Sequence, residues 1–172
     1  MRRELVTTSV RLALVIAVAA AAGCYESPVP LDPAPQADID LRLVGAWRCL
    51  GSGPDADDEA ITIAIRQTRD RVYEADFIEE GKEPDRYEAY ASLVRGRPLV
   101  NVRDLGATNG KPWTFARYEL LRPDVLEIRV AADDVLKGVQ PTAAALRKRI
   151  ESLSGDPRLF AGFCVCVRQK KP

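Results

Sequence analysis

The residues able to do chemistry in this chain are few: four cysteines (Cys24, Cys49, Cys164 and Cys166), one acidic cluster and one glycine-flanked serine, with no histidine. The missing imidazole removes the usual general base, the Ser–His and Cys–His nucleophile pairs, and most zinc or copper sites. Asp55, Asp57, Asp58 and Glu59 could offer calcium their oxygens. The stretch lacks the glycine and distal glutamate of an EF-hand loop, however, and reads as a solvated acidic turn. Gly51-Ser52-Gly53 is not a G-x-S-x-G elbow, and no base exists to activate Ser52. Cys49, Cys164 and Cys166 could form a thiolate metal site. Three soft ligands without a C-x-x-C pair, in an exported chain, point instead to one disulfide plus a spare thiol. The expectation is a protein that is not an enzyme and holds no metal and no cofactor.

The chain has 25 basic and 25 acidic residues. Without positions 1–23, which carry Arg2, Arg3 and Arg11 against Glu4, the balance is about −2, which excludes the basic excess of a nucleic-acid binder. Those same arginines precede an apolar run, Leu12 to Ala22, that ends in Ala21-Ala22-Gly23 before Cys24. This order of charged head, apolar middle and small-residue cut site is that of a secretory signal peptide, assigned to 1–23. The run is far shorter than the ~20 residues that cross a bilayer. From Cys24 to Asp40, Pro28, Pro30, Pro33 and Pro35 interrupt a stretch with little apolar periodicity. It reads as an extended tether, reaching up to about 50 Å at ~3.1 Å per residue.

The remaining 41–172 must supply the fold. Ile61, Ile63 and Ile65 alternate with polar or small residues, as do Tyr73, Ala75 and Phe77, the period of strands with one buried face. Further strands are predicted at Leu43–Leu50, Tyr87–Val94, Leu99–Leu105, Trp113–Leu121, Val125–Val130 and Phe163–Arg168. Turn residues separate them at Arg69-Asp70, Glu80-Gly81-Lys82, Arg95-Gly96-Arg97-Pro98, Asn109-Gly110 and Arg122-Pro123-Asp124. After Pro141-Thr142, Leu146, Ile150 and Leu153 recur at helical spacing, and Gly155-Asp156-Pro157 stops the helix. The predicted fold is mainly β: an eight-stranded antiparallel up-and-down barrel, with one C-terminal helix before the last strand. That helix is expected to cover the outward apolar residues Phe163, Val165 and Val167. Arg147, Lys148 and Arg149 are read as its wet face.

Two resemblances sharpen this. Gly45-x-Trp47 on the first strand resembles the opening motif of the lipocalins and the wider calycin group. In those proteins an arginine from the last strand lies across the tryptophan, and Arg168 is the matching residue here. If Arg168 sits opposite Trp47, as the resemblance implies, the same antiparallel register sets Cys49 opposite Cys166 and leaves Cys164 free. Ala21-Ala22-Gly23-Cys24 resembles the bacterial lipobox, with Ala21 where leucine is usual. That resemblance implies a diacylglyceryl thioether on Cys24 and an amide-linked acyl chain of the palmitate class. With Tyr25 rather than aspartate next, it also implies an exported protein on the outer membrane, facing the periplasm.

The function expected is that of a lipid-anchored, lipocalin-like protein. Its lumen, lined by Ile63, Tyr73, Phe77, Tyr87 and Val102, would take up a small apolar ligand. The alternative is an envelope accessory or enzyme inhibitor acting through protein contacts, in loops such as 51–58 or 107–111. The partners expected are the membrane through the anchor, an apolar small molecule or an envelope protein, and no nucleic acid.

Overall fold

Period-two alternation becomes strands because each strand finds a neighbour on both sides. In the structure, a computed structural model that describes residues 24–52, 59–107 and 112–170, the strands are β1 (Gly45–Gly51), β2 (Ile61–Arg69), β3 (Val72–Ile78), β4 (Asp85–Val94), β5 (Arg97–Asp104), β6 (Trp113–Arg122), β7 (Val125–Ala131) and β8 (Phe160–Arg168). They close in sequence order into one barrel. Every pairing is antiparallel, and β8 returns to β1. The seam register pairs Trp47 with Arg168 and Cys49 with Cys166.

Some boundaries move. Leu41–Leu43 is a 3-10 turn that precedes β1 rather than part of it. The β4–β5 turn needs only Arg95 and Gly96, both at positive φ (50° and 75°), so Arg97 and Pro98 already belong to β5. Positive φ at two successive residues matches the twist of a hairpin, and Gly96 adopts it without strain. The expected turn at Asn109-Gly110 and the acidic residues Asp55, Asp57 and Asp58 lie outside the described residues, as do positions 1–23.

Between β7 and β8 the chain forms a single helical turn, α1 (Asp133–Leu136), and then α2 (Ala143–Ser152), capped by Thr142 Oγ1 accepting from the Ala145 amide. The period in α2 is as expected, but its destination is not. Leu146 and Ile150 are fully buried in a cluster with Leu31, Tyr90, Leu99 and Phe115, on the outside of β4 to β6. Val165 and Val167 stay exposed, at 37% and 53%. Phe163 turns inward, because a register shift in the β7–β8 pairing flips its parity.

The larger correction concerns 24–40, which is docked on the barrel and is not an extended tether. Tyr25 and Leu31 are each 1% exposed. The Tyr25 amide donates to Ala131 O, Ser27 exchanges two hydrogen bonds with Trp113, and the Gln36 amide donates to Ala91 O, all at 2.8 Å. Leu31 N donates to Asn101 Oδ1 (2.8 Å), whose Nδ2 donates to Ser92 Oγ (2.8 Å) and Tyr90 O (3.2 Å). Arg147 of α2 clamps Asp32 with both carboxylate oxygens within 2.8 Å. The prolines carry no N–H, so the segment has few donors to satisfy, and the ones it keeps find acceptors on the wall. It runs as a strap from the end of the barrel where β6 starts and β7 ends, down the outside, to Asp40 beneath the opposite end.

Candidate functional site

Alternation divides each strand between two apolar regions. Tyr90, Val94, Leu99 and Phe115 point outward under the strap and α2, while Trp47, Ile63, Tyr73, Ala89 and Leu126 point into the lumen. The lumen is plugged at the end where β1 begins. Trp47 is fully buried there, its Nε1 donating to Leu43 O (2.8 Å), and the Arg168 guanidinium lies 4.1 Å from its ring centroid. Arg168 also donates to Val44 O (3.0 Å) and to Arg42 O, tying the 3-10 turn across the barrel floor. Gly45 must be glycine: its φ is 139°, and a Cβ would meet Arg168 Nη1 at 2.8 Å.

Asp40 anchors the underside. Its amide meets Tyr73 Oη, and Tyr118 Oη donates to its carboxylate at 3.4 Å. Hydrogen bonds from Arg42 hold the Asp40 carboxyl below its ordinary range. Burial, then the Asp40 charge, pushes the Tyr118 phenol up to about 12.

Above this floor lies a cavity of about 260 Å³. Ile63, Tyr73, Phe77, Tyr87 and Val102, the five residues expected to line it, all border it. Small Ala75 and Ala89 leave the space, and Ala91 is buried but off the cavity wall. Toward the far end an aromatic group gathers, with Phe77 4.7 Å from Tyr87 and 6.3 Å from Phe163 between ring centroids. The one charged residue on the wall, Arg117, stacks its guanidinium 4.2 Å from Phe160, whose ring belongs to the outer cluster. Among the described residues the wall is therefore apolar apart from Arg117.

Cys24 was expected to stand away from the barrel, yet it borders this cavity. It forms an antiparallel bridge to Ala132 just past the end of β7 and is itself exposed, so the cavity reaches the surface beside it. Burial raises the Tyr87 phenol first, with the charges of Asp104 and Asp85 adding to the effect. The periodicity of the sequence gave no sign of this placement, because it depends on the strap.

The three remaining cysteines meet on the lumen face of the seam, their sulfurs within 4.8 Å of one another. Cys49 and Cys166 are disulfide-bonded, 117 residues apart in sequence. Cys164 is free, its Sγ 3.5 Å from Cys166 Sγ, and burial pushes its thiol up to about 12. A bonded pair beside a protonated thiol is not a set of thiolate donors. Asn101, fully buried and holding the strap, was missed in the sequence, where a lone asparagine in a strand carries no signal.

Fold and cavity together define a closed antiparallel eight-stranded barrel with an apolar lumen, plugged at one end. Among known proteins, no family model and no curated protein matches the chain. It is similar to a solved structure described as a redesigned beta barrel, at 8% identity and a TM-score of 0.44, over 80% of this chain and 100% of that one.

Proposed function

We propose that this is an exported, lipid-anchored barrel, held on the outer membrane and facing the periplasm, whose lumen binds a small apolar ligand. The observation that carries the reading is the 260 Å³ apolar cavity left between large and small inward side chains. That is nearly twice the ~150 Å³ of an engineered cavity that stays dry and takes up benzene, and just under the ~300 Å³ at which drug-sized sites begin. The volume suits one chain of about ten carbons better than a fused ring system. Each methylene transferred from water contributes about 0.8 kcal/mol. No catalytic role is proposed: there is no imidazole, and the phenols of Tyr73 and Tyr118 are engaged with Asp40. Among the described residues no helix is long and apolar enough to cross a membrane. The anchor proposed is the lipid on Cys24.

A fluorescent fatty acid should bind the non-acylated Cys24→Ser chain one to one. Ala89→Phe, which fills the lumen, should weaken binding at least tenfold. Absence of binding to the non-acylated chain refutes the ligand reading. For the anchor, membrane fractionation should find the wild type with the membrane and Cys24→Ala released or unprocessed. Equal membrane retention of a processed Cys24→Ala refutes it.

One observation favours the protein-partner alternative. Leu50 and Val165 pair across the seam, and with Val167 they leave a bare apolar strip on the outer face of β1 and β8. An envelope partner would be expected there, and Val165→Glu with Val167→Glu would abolish its capture without affecting probe binding.

A further inference from the structure

We infer that the ligand resident in the lumen is an acyl chain carried on Cys24 of the same molecule; this rests on the lipid-anchor reading above. The juxtaposition that points to it is the position of Cys24 itself, exposed and yet on the wall of the apolar cavity. The residue cannot swing away. Tyr25, next in the chain, is 1% exposed, its amide bonded to Ala131 O (2.8 Å) and its hydroxyl to Gly138 O (3.1 Å). A chain attached at Cys24 therefore starts at the mouth of the lumen with no linker to order. Insertion is intramolecular, and a free ligand has to compete against a high effective concentration.

The chemistry of the wall selects the same occupant. A free fatty acid would bring a carboxylate, and among the described residues the one cation on the wall, Arg117, has its guanidinium stacked over Phe160 of the outer cluster. An acyl group bound through an ester or amide carries no charge, and its polar linkage would stay at the exposed Cys24 end while its methylenes met Phe77, Tyr87 and Phe163. The attachment is a substitution without redox change: the Cys24 sulfur takes the diacylglyceryl group from a diacylglycerophospholipid, and the phosphate headgroup leaves with the thiol proton. At about 260 Å³ the lumen holds most of one chain and not two. The remaining chains stay outside, and the open end of the barrel is held at the bilayer surface.

The test uses the full-length protein in its own membranes. Cells are fed a fatty acid carrying a photoactivatable diazirine near its methyl end, and the protein is irradiated, digested and mapped. The expected result is label on the Cys24 peptide, cross-linked within one molecule to peptides containing Phe77, Tyr87 or Val102, with a yield at least fivefold lower in Ala89→Phe. Label on Cys24 with cross-links to phospholipid alone overturns the inference and leaves the anchor standing. No label on Cys24 overturns both.

A second measurement does not depend on how Ala89→Phe folds. Detergent-purified acylated protein should take up at least tenfold less fluorescent fatty acid than non-acylated Cys24→Ser. Equal uptake overturns the inference while supporting the ligand reading, and uptake by neither overturns both.

Discussion

Reducing the Cys49–Cys166 disulfide in a Cys24→Ser, Cys164→Ala background is the cleanest perturbation of this barrel, because both sulfurs remain in place and no third thiol is left to exchange. In the chain-entropy account, a cross-link over 117 residues removes about 16 cal/mol/K from the unfolded ensemble, or about 4.9 kcal/mol at 25 °C. The bond joins directly opposed residues of the first and last strands. Cutting it therefore frees the whole sheet to open in the unfolded state while the native ladder keeps its hydrogen bonds. Urea titration of the oxidised and reduced forms should show a loss of about 4–5 kcal/mol and a steeper slope for the reduced form, whose unfolded chain is more expanded. On heating, the midpoint should fall by about 10–20 °C for a domain of this size. A loss below about 1 kcal/mol with an unchanged slope would refute the reasoning, because the bond would then constrain little that the unfolded chain does not already constrain itself.

Other outcomes follow from the same geometry. Arg168→Ala removes a cation from the Trp47 face and two hydrogen bonds to carbonyls, and should cost about 2–4 kcal/mol in chemical denaturation. Gly45→Ala should cost about 1–3 kcal/mol, and the double variant should lose less than the sum, since the Cβ clash with Arg168 vanishes while the backbone strain stays. Burial pushes the phenols of Tyr90 and Tyr118 up to about 12. Above the ordinary tyrosine range near 10 the unfolded chain sheds protons that the native one keeps. Stability should therefore fall between about pH 10 and 12, by at most about 1.4 kcal/mol per pH unit for each, with phenolate absorbance rising only as the protein unfolds. Cys164, 2% exposed, should resist a thiol-alkylating reagent in the native state. It should react fully in denaturant, where it also scrambles the neighbouring disulfide, as non-reducing peptide maps would show.

The strands were legible because their inward positions are alternating and apolar, and the seam register because the resemblance carried by Gly45-x-Trp47 implied Arg168 opposite Trp47, with Cys49 and Cys166 on those same two faces. What was not legible depends on partners far away in sequence. Tyr25, Val29 and Leu31 follow no period among the prolines. Their burial is decided by Asn101, Trp113 and α2, which no local pattern announces. The stripe of α2 told that one face is covered but not by what. Val165 and Val167 looked like its target only because exposed apolar residues on a strand invite a cover. The inward turn of Phe163 arises from a bulge, and one residue of slip reverses every side chain after it. In the lumen, lining residues could be named from parity, whereas the empty volume depends on how far Ala75 and Ala89 stand from the opposite wall.

The strap and α2 give this barrel an apolar shell of its own, separate from the interior. Small barrels stabilised only from within must fill their lumen, and any change there is felt by the fold. Here sixteen buried residues among those described form the outer cluster, so interior positions such as Ala89 or Val102 can change size without touching that second core. Substitutions should accordingly divide by the direction in which a side chain points, with outer ones selected for persistence of the protein and inner ones freer to change size. Two adjacent residues of one strand, such as Asn101 and Val102, would then evolve under unrelated constraints.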